Sequence, residues 1–113
     1  MTALRKVLEV YVHACRQQGI AWEGGNYQAA SECRGIKGMH LQKLKRSEKG
    51  IRALVALMDH EDVYVRLSAS VHSLPYDESR AVETLRDIRE TAGIPGFHAE
   101  MALKEWEKGN LKV

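Results

Sequence analysis

Residues able to carry chemistry occur along this sequence, but their spacing does not assemble a reactive site. The two cysteines, Cys15 and Cys33, are separated by 18 positions and lack the Cys-x-x-Cys spacing of a zinc site. No two histidines stand four positions apart with an acid between them; they are His13, His40, His60, His72 and His98. A catalytic nucleophile needs a base within hydrogen-bond reach and a third group to orient it, and no such set stands out. The sequence therefore predicts a protein that is not an enzyme, with no catalytic residue, metal or cofactor.

An acidic stretch with interspersed tyrosines is the first candidate surface for binding a partner. Its members are Asp59, Glu61, Asp62, Tyr64, Tyr76, Asp77 and Glu78. We expect them at helix starts and inter-helix turns, along one edge of stacked helical hairpins. A tyrosine ring offers rigid contact area and nearby carboxylates steer a basic partner. Asp62 and Asp77 equally suit a structural role as helix caps.

A basic stretch between Arg34 and Arg52 is the second candidate surface. Its cations are Arg34, Lys37, Lys43, Lys45, Arg46, Lys49 and Arg52, opposed only by Glu48. Clustered cations suggest phosphate contact and hence nucleic acid. The modest net charge of +2 and the lack of an aromatic side chain in the stretch favour a solvated helix face instead.

The elements that must position these residues are predicted to be helices. The chain has 113 residues, which suits one domain, and it is rich in good helix formers. Pro75 and Pro95 both fall near helix boundaries, and no segment alternates with the period of a strand. The first 12 residues lack the apolar core of a signal peptide, and no window reaches the length of a membrane span. We therefore expect a soluble, cytoplasmic, all-α protein of about six helices, with no membrane partner and no small-molecule substrate.

A repeat in the second half of the chain predicts how these helices are arranged. Shifted by 32 positions, one set of apolar residues falls on another: Val65, Ala69, Val71 and Leu74 on Phe97, Met101, Leu103 and Trp106. A shift of 31 places Leu54 and Leu57 on Leu85 and Ile88. Two-helix units of this length are typical of helical solenoids. We expect one domain over residues 1–113, with an N-terminal capping hairpin at 1–46 and two repeat hairpins at 47–109.

Two glycines in the second predicted helix leave an alternative open. Gly35 and Gly38 are three positions apart, and glycine destabilises a helix interior by about 1 kcal/mol relative to alanine. Either a tight crossing with another backbone or a bend in the helix would explain them.

The turn within the first repeat unit resembles a HEAT motif. The resemblance lies in an acid in the turn, Val-Arg opening the next helix, small residues one turn later and then leucine. Those places are held here by Asp62, Val65, Arg66, Ala69, Ser70 and Leu74. In the second copy His98 stands where arginine is expected, so that copy is weaker. The resemblance implies a HEAT/ARM-like right-handed superhelix of stacked α-hairpins.

Over its whole length, the chain also resembles a family of small bacterial HEAT-like proteins of unknown function. The similarity lies in Gly25-Asn26-Tyr27, in Asp59-His60 with Val65-Arg66-Leu67, and in the segments at 96–101 and 105–109. Some members of that family resemble immunity proteins of contact-dependent growth inhibition systems. The resemblance implies an immunity protein that binds and occludes a cognate toxin, and a basic nuclease would complement the acidic stretch. The alternative is a HEAT-like adaptor that holds an endogenous protein or peptide.

Overall fold

The computed structural model describes residues 2–113, and it is helical throughout. The α-helices are α1 (Thr2–Glu23), α2 (Tyr27–Leu44), α3 (Glu48–Ala56), α4 (Val63–Ser73), α5 (Glu78–Arg89) and α6 (Ile94–Glu107). A single 3-10 turn, Leu57–Asp59, follows α3. Residues 2–113 contain no strand. The prediction of an all-α fold with about six helices is confirmed; the superhelical stacking and the hairpin boundaries at 46 and 109 stay predictions.

The chain divides into two compact units, Met1–Leu54 and Val55–Val113. In the first unit α1 packs against α2. Gly25, at a φ of 72°, makes the turn between them, and Asn26 caps α2 by accepting a hydrogen bond from the Ala29 amide at 3.1 Å. The side chains buried in this unit include Tyr11, Cys15, Ala30, Leu41 and Leu44.

In the second unit α5 packs against both α4 and α6, and the 3-10 turn packs against α4. Apolar side chains at helical spacing build its core: Val65, Ala69, Leu85, Ile88, Ala99 and Leu103. Gly93, at a φ of 85°, precedes α6, and Pro95 occupies the first turn of that helix. Proline fits there because the amides of a first helical turn have no carbonyl partner within the helix, so its missing N–H costs no hydrogen bond. No helix among residues 2–113 is both long and apolar enough to cross a bilayer.

The pattern of buried residues confirms the 31-residue shift of the repeat and corrects the 32-residue shift. A shift of 31 places Gly50, Leu54 and Leu57 on Ala81, Leu85 and Ile88, and all six positions are buried. The shift of 32 is wrong for α4 and α6, because Phe97 is 61% and Met101 is 42% exposed while Val65 and Ala69 are fully buried. A shift of 34 instead matches buried positions, placing Val65, Ser68 and Ala69 on Ala99, Ala102 and Leu103.

Neighbouring backbone lies close to Gly50 and Gly96, and not to Gly35 and Gly38, the two glycines noted in the sequence. A Cβ at Gly35 or Gly38 would meet no atom within 4 Å, so the tight-crossing interpretation is wrong for the described residues. A Cβ at Gly50 would lie 2.0 Å from the Leu44 carbonyl oxygen, and one at Gly96 would lie 2.0 Å from that of Thr91. These two glycines allow tight turns at the starts of α3 and α6.

Candidate functional site

Two of the acidic residues predicted from the sequence to bind a partner, Asp62 and Asp77, are helix caps. The Asp62 carboxylate accepts hydrogen bonds from the amides of Tyr64 at 2.8 Å and Val65 at 3.2 Å, and so caps α4. The Asp77 carboxylate accepts from the Arg80 amide at 3.4 Å and caps α5. The capping role proposed for both aspartates is therefore present.

The turn before α4 is closed by the arginine of the HEAT-like motif. Arg66 Nη1 donates to the carbonyl oxygens of His60 at 2.9 Å and Glu61 at 2.8 Å. In addition, the Asp62 amide donates to His60 Nδ1 at 3.0 Å. These bonds satisfy turn carbonyls that the helix ladder cannot reach and hold the turn beside the cleft described next.

A cleft of about 260 Å³ lies between this turn, α4 and α5, and we call it the acidic cleft. Its lining residues are Met58, Asp59, Arg66, Arg80, Glu83, Thr84, Asp87, Ile88 and Thr91. Across it Arg80 Nη2 donates to Asp59 Oδ2 at 2.6 Å. Three carboxylates thus face two guanidinium groups, and both guanidinium groups already have partners.

Two of these carboxylates were not among the sequence-chosen residues. Glu83 and Asp87 are exposed, and neither forms an ion pair within the described part of the chain. They stand one helical turn apart on α5, so they share a face and their negative potentials add. Their i, i+4 spacing is visible in the sequence, but it is equally typical of any solvated helix.

A second and larger cleft lies between α5 and α6, and we call it the α5–α6 groove. It has a volume of about 640 Å³ and is lined by Glu78, Val82, Arg86, Arg89, Leu103, Trp106 and Glu107. Glu78 belongs here, because its Oε2 accepts a hydrogen bond from Trp106 Nε1 at 2.8 Å. The structure therefore places Asp59 and Glu78 in different clefts.

The remaining sequence-chosen residues line neither cleft. Glu61 is exposed and Tyr64 is half-buried. Tyr76 is 40% exposed in the turn between α4 and α5. The tyrosines thus do not join the acidic residues in one continuous pocket.

The basic stretch contains one lysine that turns inward. Lys37 is half-buried, and its Nζ donates to Gln18 Oε1 at 2.6 Å, joining α2 to the buried side of α1. Burial lowers the pKa of Lys37 below its ordinary value, since desolvation disfavours the charged amine; the nearby Cys15 thiol opposes this shift. Cys15 and Cys33 are both free thiols. Arg52, at the far end of the stretch, pairs with Glu48 at 3.4 Å.

Serine and histidine side chains on α2 and α4 that could resemble a nucleophile and its base bond to other groups. Ser70 Oγ donates to the Arg66 carbonyl oxygen at 2.6 Å, whereas His72 Nδ1 lies 3.4 Å from Ser68 Oγ. His40 Nδ1 is 2.8 Å from the Ile36 carbonyl oxygen. Among the described residues, no three of His, Cys, Asp and Glu converge in a way that could hold a metal ion.

Comparison with known proteins identifies a similar fold. No family model matches the chain, and no curated protein matches it. The crystal structure of the protein RPA1889 from Rhodopseudomonas palustris CGA009 superposes with a TM-score of 0.87 at 20% sequence identity. The match covers 97% of this chain and 93% of that one. At this identity the similarity establishes the shared fold.

Proposed function

We propose that this chain is a cytoplasmic immunity protein that binds a basic bacterial toxin and blocks its active site without catalysing a reaction. The observation that carries the proposal is the acidic cleft, where Glu83 and Asp87 extend the negative surface begun by Asp59. The whole-chain resemblance described above supplies the class of partner. Occlusion requires complementary charge and shape, and it requires no reactive group.

The charge arrangement in the acidic cleft suits a cationic partner. Arg80 pairs with Asp59 and Arg66 donates to the turn carbonyls, so each guanidinium group already has a partner within the chain. Glu83 and Asp87 are left to receive lysine or arginine side chains from outside. A nuclease active site concentrates positive charge to bind phosphate, and opposite potentials accelerate association and fix its register.

The proposal is tested by co-expressing the chain with the product of the adjacent gene. We expect a stable complex on co-purification and rescue of the growth defect caused by that product. The double variant Glu83→Lys, Asp87→Lys should weaken binding by at least about tenfold, because like charges then face each other across the interface. Glu32→Lys is the matched control, since Glu32 is also exposed but lies on α2 in the other unit.

The outcomes separate immunity from the adaptor alternative. Failure to bind the adjacent product and failure to rescue growth would overturn the immunity proposal. Capture of a housekeeping protein by the wild type, lost in the cleft variant and kept by Glu32→Lys, would favour the HEAT-like adaptor.

A further inference from the structure

The α5–α6 groove has features of a binding site that the proposed function does not use. On α5 its residues Glu78, Val82, Arg86 and Arg89 are spaced by four, four and three positions, so they form one stripe along the helix. The stripe spans 11 residues of rise, or about 16 Å. It flanks the buried residues Ala81, Leu85 and Ile88 on the side away from Glu83 and Asp87. The groove and the acidic cleft are thus separate surfaces of one helix.

The charges of the groove are ordered from one end to the other. Glu78 begins α5 and is bonded to Trp106 near the end of α6, so Glu107 lies at the same end. Val82, Leu103 and the indole of Trp106 supply the apolar part. Arg86 and Arg89 occupy the last turn of α5, at the other end. The groove therefore runs from a negative end, past an apolar wall, to a positive end.

The charged groups at the two ends have few partners of their own. Neither Arg86 nor Glu107 takes part in an ion pair with any residue from 2 to 113. The ion pair of Arg89 is with the adjacent Glu90, at 3.8 Å, and the two side chains are 44% and 77% exposed. Such a pair contributes little, and it is easily exchanged for another carboxylate.

The Trp106 ring is fixed in position and partly accessible for contact with a ligand. Its hydrogen bond to Glu78 fixes the ring while leaving the side chain half-buried rather than enclosed. Tryptophan and arginine are the residue types most enriched where a few side chains dominate binding energy. The groove has a volume of about 640 Å³ and is open to solvent, so a segment of chain can enter it from the surface.

We propose that the α5–α6 groove binds an extended segment of a partner protein, with a basic residue at the Glu78 and Glu107 end, an apolar residue against Val82 and the Trp106 ring, and an acidic residue at the Arg86 and Arg89 end. The order of charges along the groove dictates this order in the segment. About five extended residues cover the 16 Å stripe, since each advances roughly 3.3 Å. A single amino acid is too short to reach both ends.

The probe is the acetylated, amidated pentapeptide Lys-Ala-Leu-Ala-Glu, with Lys-Ala-Leu-Ala-Lys as its comparison. Binding is followed by the fluorescence of Trp106 in a Trp22→Phe background, which removes the other tryptophan, and by calorimetry on the unmodified chain. We expect saturable binding of the first peptide in about the millimolar range. It should bind at least about fivefold more tightly than the second, because only the first presents a carboxylate to the arginines.

A reversal of specificity separates a binding role from a folding defect. In the variant Arg86→Glu, Arg89→Glu the preference should invert, so that Lys-Ala-Leu-Ala-Lys binds more tightly. The variant Arg46→Glu, on the other compact unit, should keep the wild-type preference. Equal affinity of the wild type for both peptides would overturn the proposal, as would an equal response to free lysine or free glutamate. Absence of saturable binding to about 5 mM would overturn it as well.

Discussion

Replacing Gly96 by alanine tests whether the tight turn before α6 controls stability. The added Cβ would lie 2.0 Å from the Thr91 carbonyl oxygen and 3.2 Å from that of Arg89. A carbon and a carbonyl oxygen approach no closer than about 3.3 Å without strain, so the backbone must move by roughly 1 Å. Overpacking of this kind costs about 1–3 kcal/mol. A 2.0 Å contact with backbone places the cost at the upper end of this range, and alanine recovers up to about 1 kcal/mol of helix propensity, so we expect a net loss near 2 kcal/mol.

Thermal and urea unfolding measure this loss. For a chain of this size a change of 2 kcal/mol lowers the melting temperature by about 8 °C. Gly38→Ala is the matched control, because a Cβ there meets no atom within 4 Å, and it should raise stability by about 1 kcal/mol. Circular dichroism and tryptophan fluorescence should be compared, since the two units need not unfold together. If Gly96→Ala melts at or above the wild-type temperature, the close approach does not exist.

Three further substitutions test other parts of the structure. Asp62→Ala removes both amide hydrogen bonds of the α4 cap and should destabilise by about 1 kcal/mol in urea unfolding, whereas Asp62→Asn should retain most of the cap. Ser73→Ala should stabilise by about 1 kcal/mol, because the Ser73 hydroxyl is buried without a hydrogen-bond partner among the described residues; a loss of stability would show that it has one. Lys37→Met should flatten the rise in stability expected of the wild type as the pH increases toward 10.5, the ordinary lysine pKa. That rise is expected because a lowered native pKa makes the native state release the Lys37 proton before the unfolded state does. An unchanged pH profile in the variant would contradict the burial of the amine.

The helices and their caps followed from local rules that sequence carries directly. Asn26, Asp62 and Asp77 cap helices because a short polar side chain reaches the free amides of the first turn. Pro75 lies just after α4, where proline no longer interrupts the hydrogen-bond ladder. Such signals depend only on neighbouring residues.

Which side of each helix faces the core was harder to predict, because the same apolar spacing is compatible with burial of more than one helix face. Phe97 and Met101 are one helical turn apart and apolar, as a core pair would be, yet α6 buries Ala99 and Leu103 instead. The buried positions of the two helix pairs repeat at 31 and at 34 residues, so α6 turns a different face to the core than the 32-residue shift predicts. Lys37 lies within a run of solvent-facing cations, and nothing nearby in the sequence reveals its bond to Gln18, 19 positions away.

The candidate site was predicted in part. Asp59 and Glu78 were chosen for their charge, but the structure assigns them to separate clefts. The candidate site did not include Glu83, Asp87, Arg86 or Arg89, because alternating charges on one helix are typical of a solvated face. Only the positions of α4 and α6 on either side of α5 sort these charges into an acidic and a basic stripe.

The short connection between α5 and α6 has a kinetic consequence. Gly93 turns the chain in the left-handed region, Pro95 fixes the next backbone angle, and Gly96 lies against the Thr91 carbonyl. Because this connection is short and locally constrained, we expect the groove to be largely preformed before a ligand arrives. Peptide capture should therefore proceed as one encounter step whose observed rate rises linearly with peptide concentration, with no plateau from a preceding rearrangement.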